Sequence, residues 1–251
     1  MTFIFANWKM YLSNEEALVL AQDLSLKGVE SDTVTCAVFP TLVSMVGVAD
    51  VLKQSSFAIG AQHAAWAPKG AYTGAVSAQL CKEVGCTYSL IGHSERRHIF
   101  GETNEDTKKR VVACIDAGLT PVLCIGETQE DKEQGIQKDI LKTQILGALE
   151  GVDLSTSGLI IAYEPVWAIS GSGGGESCDP TYAQDIQSWI RSEVLTFISE
   201  PVPILYGGSV NQENVVSYTS QKDIDGVLVG SASTNSTSFL AITHAISSSL
   251  S

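Results

Sequence analysis

Three side chains that could transfer protons or hold an anion follow short apolar segments of the sequence. Glu164 comes directly after one such segment, and His93 and Lys9 each lie two residues beyond the end of another, with Asn7 ending the segment before Lys9. A carboxylate can act as a base, an imidazole can polarise a carbonyl or shuttle a proton, and an ammonium can hold an anion. Taken singly, each also has an ordinary structural interpretation as a capping acid, a hydrogen-bonding histidine or a solvated rim charge.

Two segments rich in glycine and serine could bind an anion without a formal charge. They are "LYGGSV" at Leu205–Val210 and "VLVGSAS" at Val227–Ser233, and they bring Ser209, Gly230 and Ser231 to places where a strand turns into a helix. Backbone N–H groups at such turns point outward and bind phosphate. Each segment alone is weak support, because glycine also serves tight turns, but the pair after strands seven and eight matches a recurrent phosphate site of barrels.

Together these residues form a base, an imidazole, an ammonium, an amide and a phosphate cradle. This set suits proton transfer next to a carbonyl on a small phosphorylated molecule. The six cysteines show no CxxC pair and no Cys/His ligand spacing, and no nucleotide-binding motif is present. We therefore expect neither a metal nor a cofactor.

Eight short apolar runs alternate with amphipathic stretches such as "NEDTKKRVVACIDAG", in which Asn104 is the predicted cap and Gly118 the stop. This alternation predicts an α/β fold, a (β/α)8 barrel of one domain over residues 1–251, with the chemistry at the carboxyl ends of the strands. The runner-up is a doubly wound open sheet, which would more often carry a glycine fingerprint where "NWKM" stands. The predicted strands are Phe3–Asn7, Val34–Phe39, Phe57–Ala61, Tyr88–Ile91, Pro121–Ile125, Leu159–Tyr163, Ile204–Tyr206 and Gly226–Val229.

Composition restricts the partners. The chain has 15 basic and 28 acidic residues, a net charge of −13, which disfavours nucleic acid and anionic membranes and requires any anion site to be made locally. No run approaches the roughly 18 apolar residues of a membrane helix. The N-terminus lacks a basic leader and a cleavage site, and several cysteines lie in apolar runs, so we expect a cytoplasmic protein.

Several motifs resemble those of the triosephosphate isomerase family, in order and at matching spacing over the whole chain. The resemblance implies interconversion of dihydroxyacetone phosphate and D-glyceraldehyde 3-phosphate, in glycolysis and gluconeogenesis, by a homodimer without a cofactor. The motifs are "NWKM" (7–10), "GAYTG" (70–74), "IGHSERR" (91–97), "AYEPVWAI" (162–169), "YGGSV" (206–210) and "LVG" (228–230).

The resemblance implies a role for each candidate residue. Glu164 would be the base that moves the carbon proton, His93 the neutral electrophile that polarises the carbonyl, and Lys9, with Asn7, the group that holds the enediolate and the phosphate. Glu95 would bind Lys9 or its neighbours. The remaining implied residues are the phosphate-binding Ser170, Gly171, Ser209, Gly230 and Ser231, and the supporting Tyr206 and Cys124.

The segment after Ile169 is predicted to be a lid that closes over the reactive intermediate. Glycines from Ser170 to Gly175 would supply N–H groups and mobility, and Tyr206 and Ser209 would hydrogen-bond the closed lid, as their family counterparts do. The loop Gln62–Gly74 is expected to insert beside the partner's site, since Trp66 is apolar for a loop residue.

Four features depart from the family pattern. Ser231 stands where a second glycine is usual, and Tyr11 stands where an asparagine is common. Ala75 replaces a glutamate that would pair across the interface with Arg96, so this ion pair should be missing. The lid is a few residues longer than usual and lacks "GTGK".

Two other functions remain open at the level of sequence. One is another phosphate-binding barrel enzyme, such as an indole- or ribulose-phosphate enzyme, which gives no reason for "IGHSERR" together with "EPVWAI". The other is a non-catalytic barrel that acts as a binding module, which would tolerate loss of Glu164, His93 or Lys9, yet all three are present.

Overall fold

The computed structural model describes residues 1–29, 31–154, 158–169, 177–196 and 198–250. Eight parallel strands form a closed barrel in which each strand pairs with the next and β8 pairs with β1. The predicted (β/α)8 fold is confirmed, and the open-sheet alternative is wrong because the ring has no free edge. The strands are β1 Thr2–Asn7, β2 Val34–Phe39, β3 Phe57–Ala61, β4 Tyr88–Ile91, β5 Thr120–Ile125, β6 Ile160–Tyr163, β7 Ile204–Tyr206 and β8 Gly226–Val229.

Helices follow the strands around the outside of the barrel. Two short 3₁₀ turns, Val166–Ala168 and Ser231–Thr234, lie after β6 and β8 at the end that holds the candidate residues. Within the described part of the chain, no helix is long and apolar enough to span a membrane. The helices are α1 Asn14–Lys27, α2 Leu42–Leu52, α3 Ala78–Glu83, α4 Ser94–His98, α5 Asn104–Asp116, α6 Gln129–Glu133, α7 Gln137–Leu149, α8 Pro180–Val194, α9 Val215–Thr219 and α10 Ser236–Ser249.

One helix cap and three strand starts differ from the predicted positions by one residue. Helix α5 is capped by Thr103 and not by Asn104, because the Thr103 hydroxyl accepts from the Asp106 N–H while the Asp106 carboxylate accepts from the Thr103 N–H. Gly118 follows the helix with a positive φ of 72°, as expected of a stop. Strands β1, β5 and β6 each begin one residue away from the predicted start.

Strict alternation along the strands divides the apolar residues into two cores. Phe5 points into the barrel, where its ring meets Phe39 at 5.4 Å and Tyr88 at 4.8 Å, whereas Ile4 and Ala6 pack outward against the helices. The interior is therefore filled by side chains and is not a channel. These packed interior side chains support the carboxyl ends of the strands, where the candidate residues lie.

Gly226, at the seam where β8 meets β1, should not tolerate a side chain. It has φ of 155°, and a Cβ there would lie 2.0 Å from the Phe3 carbonyl oxygen. We expect Gly226→Ala to lower the free energy of unfolding by about 3 kcal/mol or more. Urea titration measures this. Gly158→Ala, whose Cβ would meet nothing closer than 3.8 Å, is the control; an equal effect in both variants would contradict the argument.

Candidate active site

Three strands deliver the candidate groups to one end of the barrel. Asn7 is the last residue of β1 and Glu164 directly follows β6, while Lys9 and His93 lie two residues beyond β1 and β4. All four line one pocket at this end of the barrel. Asn7, His93 and Glu164 are buried, so charge within this pocket is weakly screened by water.

The Glu164 carboxylate is held by two groups of the segment after β4. Its Oε1 lies 3.1 Å from Nε2 of His93, and its Oε2 accepts from the backbone N–H of Ser94 at 3.1 Å. A buried carboxylate without partners would be strongly destabilising. The two contacts stabilise it and place the base beside the imidazole.

The ring orientation of His93 follows from its place as the N-cap of α4. Nδ1 accepts a hydrogen bond from the Glu95 backbone N–H at 3.2 Å, so it carries no proton. The neutral imidazole then carries its proton on Nε2, which faces Glu164 and the pocket. His93 can therefore donate a hydrogen bond to an oxygen bound there.

Lys9 is held in an unusual conformation by its neighbours. It has φ of 46°, which is uncommon for a residue with a side chain, and its N–H donates to Oδ1 of Asn7 at 3.0 Å. The Gln62 amide donates to the Lys9 carbonyl at 2.7 Å. The Lys9 ammonium lies 2.8 Å from Glu95, which directs it into the pocket. Such local strain is typical of functional sites.

The loops after β7 and β8 complete the pocket with small residues. A Cβ on Gly207 would lie 2.8 Å from Cγ of Glu164, and one on Gly208 would lie 2.1 Å from Oη of Tyr206. Only glycine allows the chain to pass this close to the two side chains. Gly230 and Ser231 line the same wall beside the Lys9 side chain, and so do Ser209 and Ala232.

The loop after β7 is bonded to the 3₁₀ turn after β6. The Ser209 N–H donates to the Ala168 carbonyl at 2.9 Å. The assignment of Ser209 to a phosphate stays a prediction. Ser170 and Gly171, and the lid as a whole from 170 to 176, lie outside the described residues.

The supporting residues pack behind the pocket. The Tyr206 ring stacks on Tyr218 at 4.1 Å, and burial raises the pKa of the Tyr206 phenol. Cys124 lies in the barrel interior, where burial raises the pKa of its thiol, so it acts as a small apolar residue. Glu127 accepts hydrogen bonds from Tyr163 at 2.9 Å and from Trp167 at 2.8 Å, and burial raises the pKa of its carboxyl.

Three contributors to the site were not singled out from the sequence. Ser94 holds Glu164 through its backbone N–H, Gln62 holds the main chain of Lys9, and Gly207 leaves room for Glu164. Ser94 and Gly207 do lie within the quoted motifs. Gln62 was named only as the start of the predicted interface loop, and its bond to Lys9 joins residues 53 positions apart in the sequence.

No group of three or more histidine, cysteine or acidic residues within the described ranges is placed to hold a metal ion. The groups of the pocket that can act on a ligand include the carboxylate, the imidazole and the ammonium. A base beside a neutral hydrogen-bond donor can move a proton from carbon while a neighbouring oxygen is polarised.

The chain is similar in sequence to known proteins over nearly its whole length. The family model described as triosephosphate isomerase matches residues 2–246. The chain is 39% identical to the triosephosphate isomerase of Hydrogenovibrio crunogenus, with 97% of each chain covered. It is 41% identical to that of Syntrophotalea carbinolica and 42% identical to that of Carboxydothermus hydrogenoformans, with 96% of each chain covered in both comparisons.

Lys9→Met should weaken binding of a doubly charged phosphate analogue by about 10- to 100-fold, because an apolar tip cannot bond an anion. Calorimetric titration measures the affinity. Lys53→Met, which makes the same change of charge at the end of α2, controls for net charge. An unchanged affinity in the Lys9 variant would contradict an anion-binding role.

Proposed function

The chain belongs to the triosephosphate isomerase family and interconverts dihydroxyacetone phosphate and D-glyceraldehyde 3-phosphate, and on this premise we propose that Glu164, His93 and Lys9 carry out the reaction. The observation that carries the proposal is the buried contact of 3.1 Å between Glu164 and Nε2 of His93. The other phosphate-binding barrels and the non-catalytic barrel are not favoured, since the family match extends over nearly the whole chain.

Glu164 takes the proton from the carbon next to the substrate carbonyl. The electron pair of the broken C–H bond forms the carbon–carbon double bond of an enediolate, and negative charge moves to the carbonyl oxygen. The hydroxyl proton of the neighbouring oxygen then passes to this charged oxygen. Glu164 returns its proton to the former carbonyl carbon while the deprotonated oxygen forms the new carbonyl, which gives the other isomer. The carboxylate is regenerated, so no external acid or reductant is needed.

His93 stabilises the oxygen on which charge develops. Its Nε2–H donates to the carbonyl oxygen and can pass a proton between the two oxygens of the intermediate. Because the Glu95 N–H donates to Nδ1, Nε2 is the ring nitrogen that faces the substrate with a proton. The Lys9 ammonium adds a positive charge in the same buried pocket.

The phosphate group lies against the loops after β7 and β8, near Ser209, Gly230 and Ser231. Gly230 lies against the Lys9 side chain, with only 3.5 Å between an ideal Cβ there and Cε of Lys9. Backbone N–H groups and one ammonium can bind a dianion despite the net charge of −13, because the attraction is confined to the pocket. The side chains of Ile169 and Leu228 form an apolar part of the pocket wall, which limits the access of water to the intermediate.

We expect Glu164→Gln to lower kcat by about 100- to 10,000-fold, because the amide is nearly isosteric but cannot accept the carbon proton. A coupled assay for triose phosphate conversion measures the change. Glu105→Gln, at an exposed acid on α5, is the control and should retain activity. A loss of less than tenfold in the Glu164 variant would contradict its assignment as the base.

We further propose that two copies of the chain form a homodimer through the loop Gln62–Gly74. Trp66 and Tyr72 of this loop are exposed, and Leu42 lines one pocket with both of them. An exposed apolar area of this kind is typical of a protein interface.

The hydrogen bonds of Arg96 within its own chain support the inference that no ion pair crosses this interface at Ala75. Its guanidinium donates twice to Glu102 of the same chain, at 2.6 and 2.8 Å. The arginine charge is therefore neutralised within one subunit, and association would rest on apolar contact at this point.

Leu42→Glu should convert the dimer to monomers and lower activity, because a charge would be buried in the interface. Leu26→Glu is the matched control, since Leu26 is 82% exposed at the far end of α1. Sedimentation velocity at micromolar concentration separates the two states. If the unaltered chain sediments as an active monomer, the dimer proposal is wrong.

The cytoplasm is the compartment that we propose for this chain. All six cysteines are buried free thiols, which is the state that a reducing compartment maintains.

We also propose that residues 1–251 form one domain. The strands of one closed ring run from Thr2 to Val229, which favours a single folding unit.

A further inference from the structure

The main chain of Glu164 lies directly against Gly126, the residue that follows β5. The Glu164 N–H donates to the Ile125 carbonyl at 2.7 Å. A Cβ on Gly126 would lie 1.8 Å from the carbonyl oxygen of Glu164, closer than any side chain can approach. The position of the Gly126 peptide therefore determines where the backbone of the catalytic acid can run.

A buried side chain on α7 holds both polar groups of Gly126. The Gln144 amide accepts from the Gly126 N–H at 2.8 Å and donates to the Gly126 carbonyl at 3.0 Å. A primary amide can make both bonds at once, because it carries an acceptor and a donor in one plane. Gln144 thus connects a rigid helix to the peptide on which Glu164 rests.

The opposite side of Glu164 leaves no room for adjustment. The Gly207 N–H donates to the Tyr163 carbonyl at 2.7 Å, and a Cβ on Gly207 would lie 2.8 Å from Cγ of Glu164. Glu164 is therefore confined between two glycine segments. A displacement of Gly126 would be transmitted to the carboxylate, because close-packed interiors do not absorb such shifts.

We infer that Gln144 is a positioning residue for the isomerase reaction, which holds the Gly126 peptide so that Glu164 meets the substrate carbon at the right place. This inference rests on the proposed role of Glu164 as the base. Gln144 does not line the pocket, so it acts only through Gly126 and Glu164.

Gln144→Met tests the inference because methionine has a similar length and makes neither hydrogen bond. We expect kcat to fall by about 10- to 100-fold, the cost of moving a catalytic group by a fraction of an ångström to about one ångström. KM should change by less than about twofold, because the groups that bind phosphate are untouched. Gln144→Asn should behave similarly, since the shorter side chain cannot reach Gly126.

Gln187→Met is the matched control for the loss of a buried glutamine. Gln187 is fully buried on α8, and its amide lies 3.2 and 3.3 Å from the carbonyl oxygens of Ile204 and Asp223. Ile204 begins β7, at the end of the strand away from the pocket. This variant should lose stability in urea without loss of kcat.

A double variant shows whether Gln144 acts through Glu164. In a Glu164→Gln background, Gln144→Met should cost little further activity, because the base that it positions is already gone. A general weakening of the fold would lower activity by the same factor in both backgrounds. Non-additivity therefore separates positioning from stability.

Gln144→Glu provides a conservative rescue. A protonated carboxyl can accept from the Gly126 N–H and donate to its carbonyl, whereas the ionised form can only accept. Burial favours the neutral form, which is present below the pKa of the carboxyl and is lost as pH rises. The activity of this variant relative to the unaltered chain should therefore fall with rising pH, and Gln144→Met should show no such trend.

The outcomes distinguish the two proposals. If Glu164→Gln retains activity, the proposed function of that residue fails. If Glu164→Gln is inactive but Gln144→Met matches Gln187→Met in kcat, or loses activity equally in both backgrounds, the positioning inference alone is wrong. Should Gln144→Met fail to fold, the pH trend of Gln144→Glu decides, and a flat ratio overturns the inference.

Discussion

The structure depends on keeping an ionisable carboxylate in a buried place without losing its capacity to take a proton. Burial of an unpaired carboxylate costs several kcal/mol. Glu164 has two partners, the ring nitrogen Nε2 of His93 and the backbone N–H of Ser94, each at 3.1 Å. Both partners lie on the segment that begins α4, so the short helix after β4 holds Glu164 and His93 in one arrangement.

Close packing around the base accounts for the glycines at Gly126 and Gly207. These residues lie after β5 and β7, the strands on either side of the one that precedes Glu164. A side chain at either position would occupy the space of the Glu164 main chain or side chain. The barrel thus holds Glu164, the proposed base, from both neighbouring strands, and the hydrogen bonds of the buried Gln144 amide extend that support to the outer layer of helices.

The anion site solves a different electrostatic problem. The chain carries a net charge of −13, yet its substrate is a dianion. The Lys9 ammonium is paired with Glu95 at 2.8 Å, so it is positioned in advance and its charge is partly neutralised until a ligand arrives. Backbone N–H groups add positive potential without adding a titratable charge. Attraction is therefore short in range, and recognition depends on entry into the pocket.

Local sequence determined much of this arrangement. The strands are apolar on both faces, which indicated a buried parallel sheet. Eight such strands alternate with helices, and this pattern indicated a barrel because it can bury its core in few other ways. Strand ends placed Lys9, His93 and Glu164 near one another for the same reason. The motifs around them, through their resemblance to a family, supplied the chemistry. Helix caps were less well predicted, since Thr103 and Asn104 are both good caps and only the reciprocal bond to Asp106 distinguishes them.

Tertiary structure alone decided how these groups meet. Ser94 and Glu164 are 70 residues apart, and Gln62 and Lys9 are 53 apart, so no spacing in the sequence reports these contacts. The sequence around Gln144 likewise indicates only a polar residue of an amphipathic helix. Its two hydrogen bonds to Gly126 are visible only in the folded structure. The bond from the Ser209 N–H to the Ala168 carbonyl is a further example, because backbone groups bond to whichever partner the fold brings within reach. Residue types and their order thus determine which elements form and what chemistry they carry, whereas hydrogen-bond partners depend on distances that exist only once the barrel has closed.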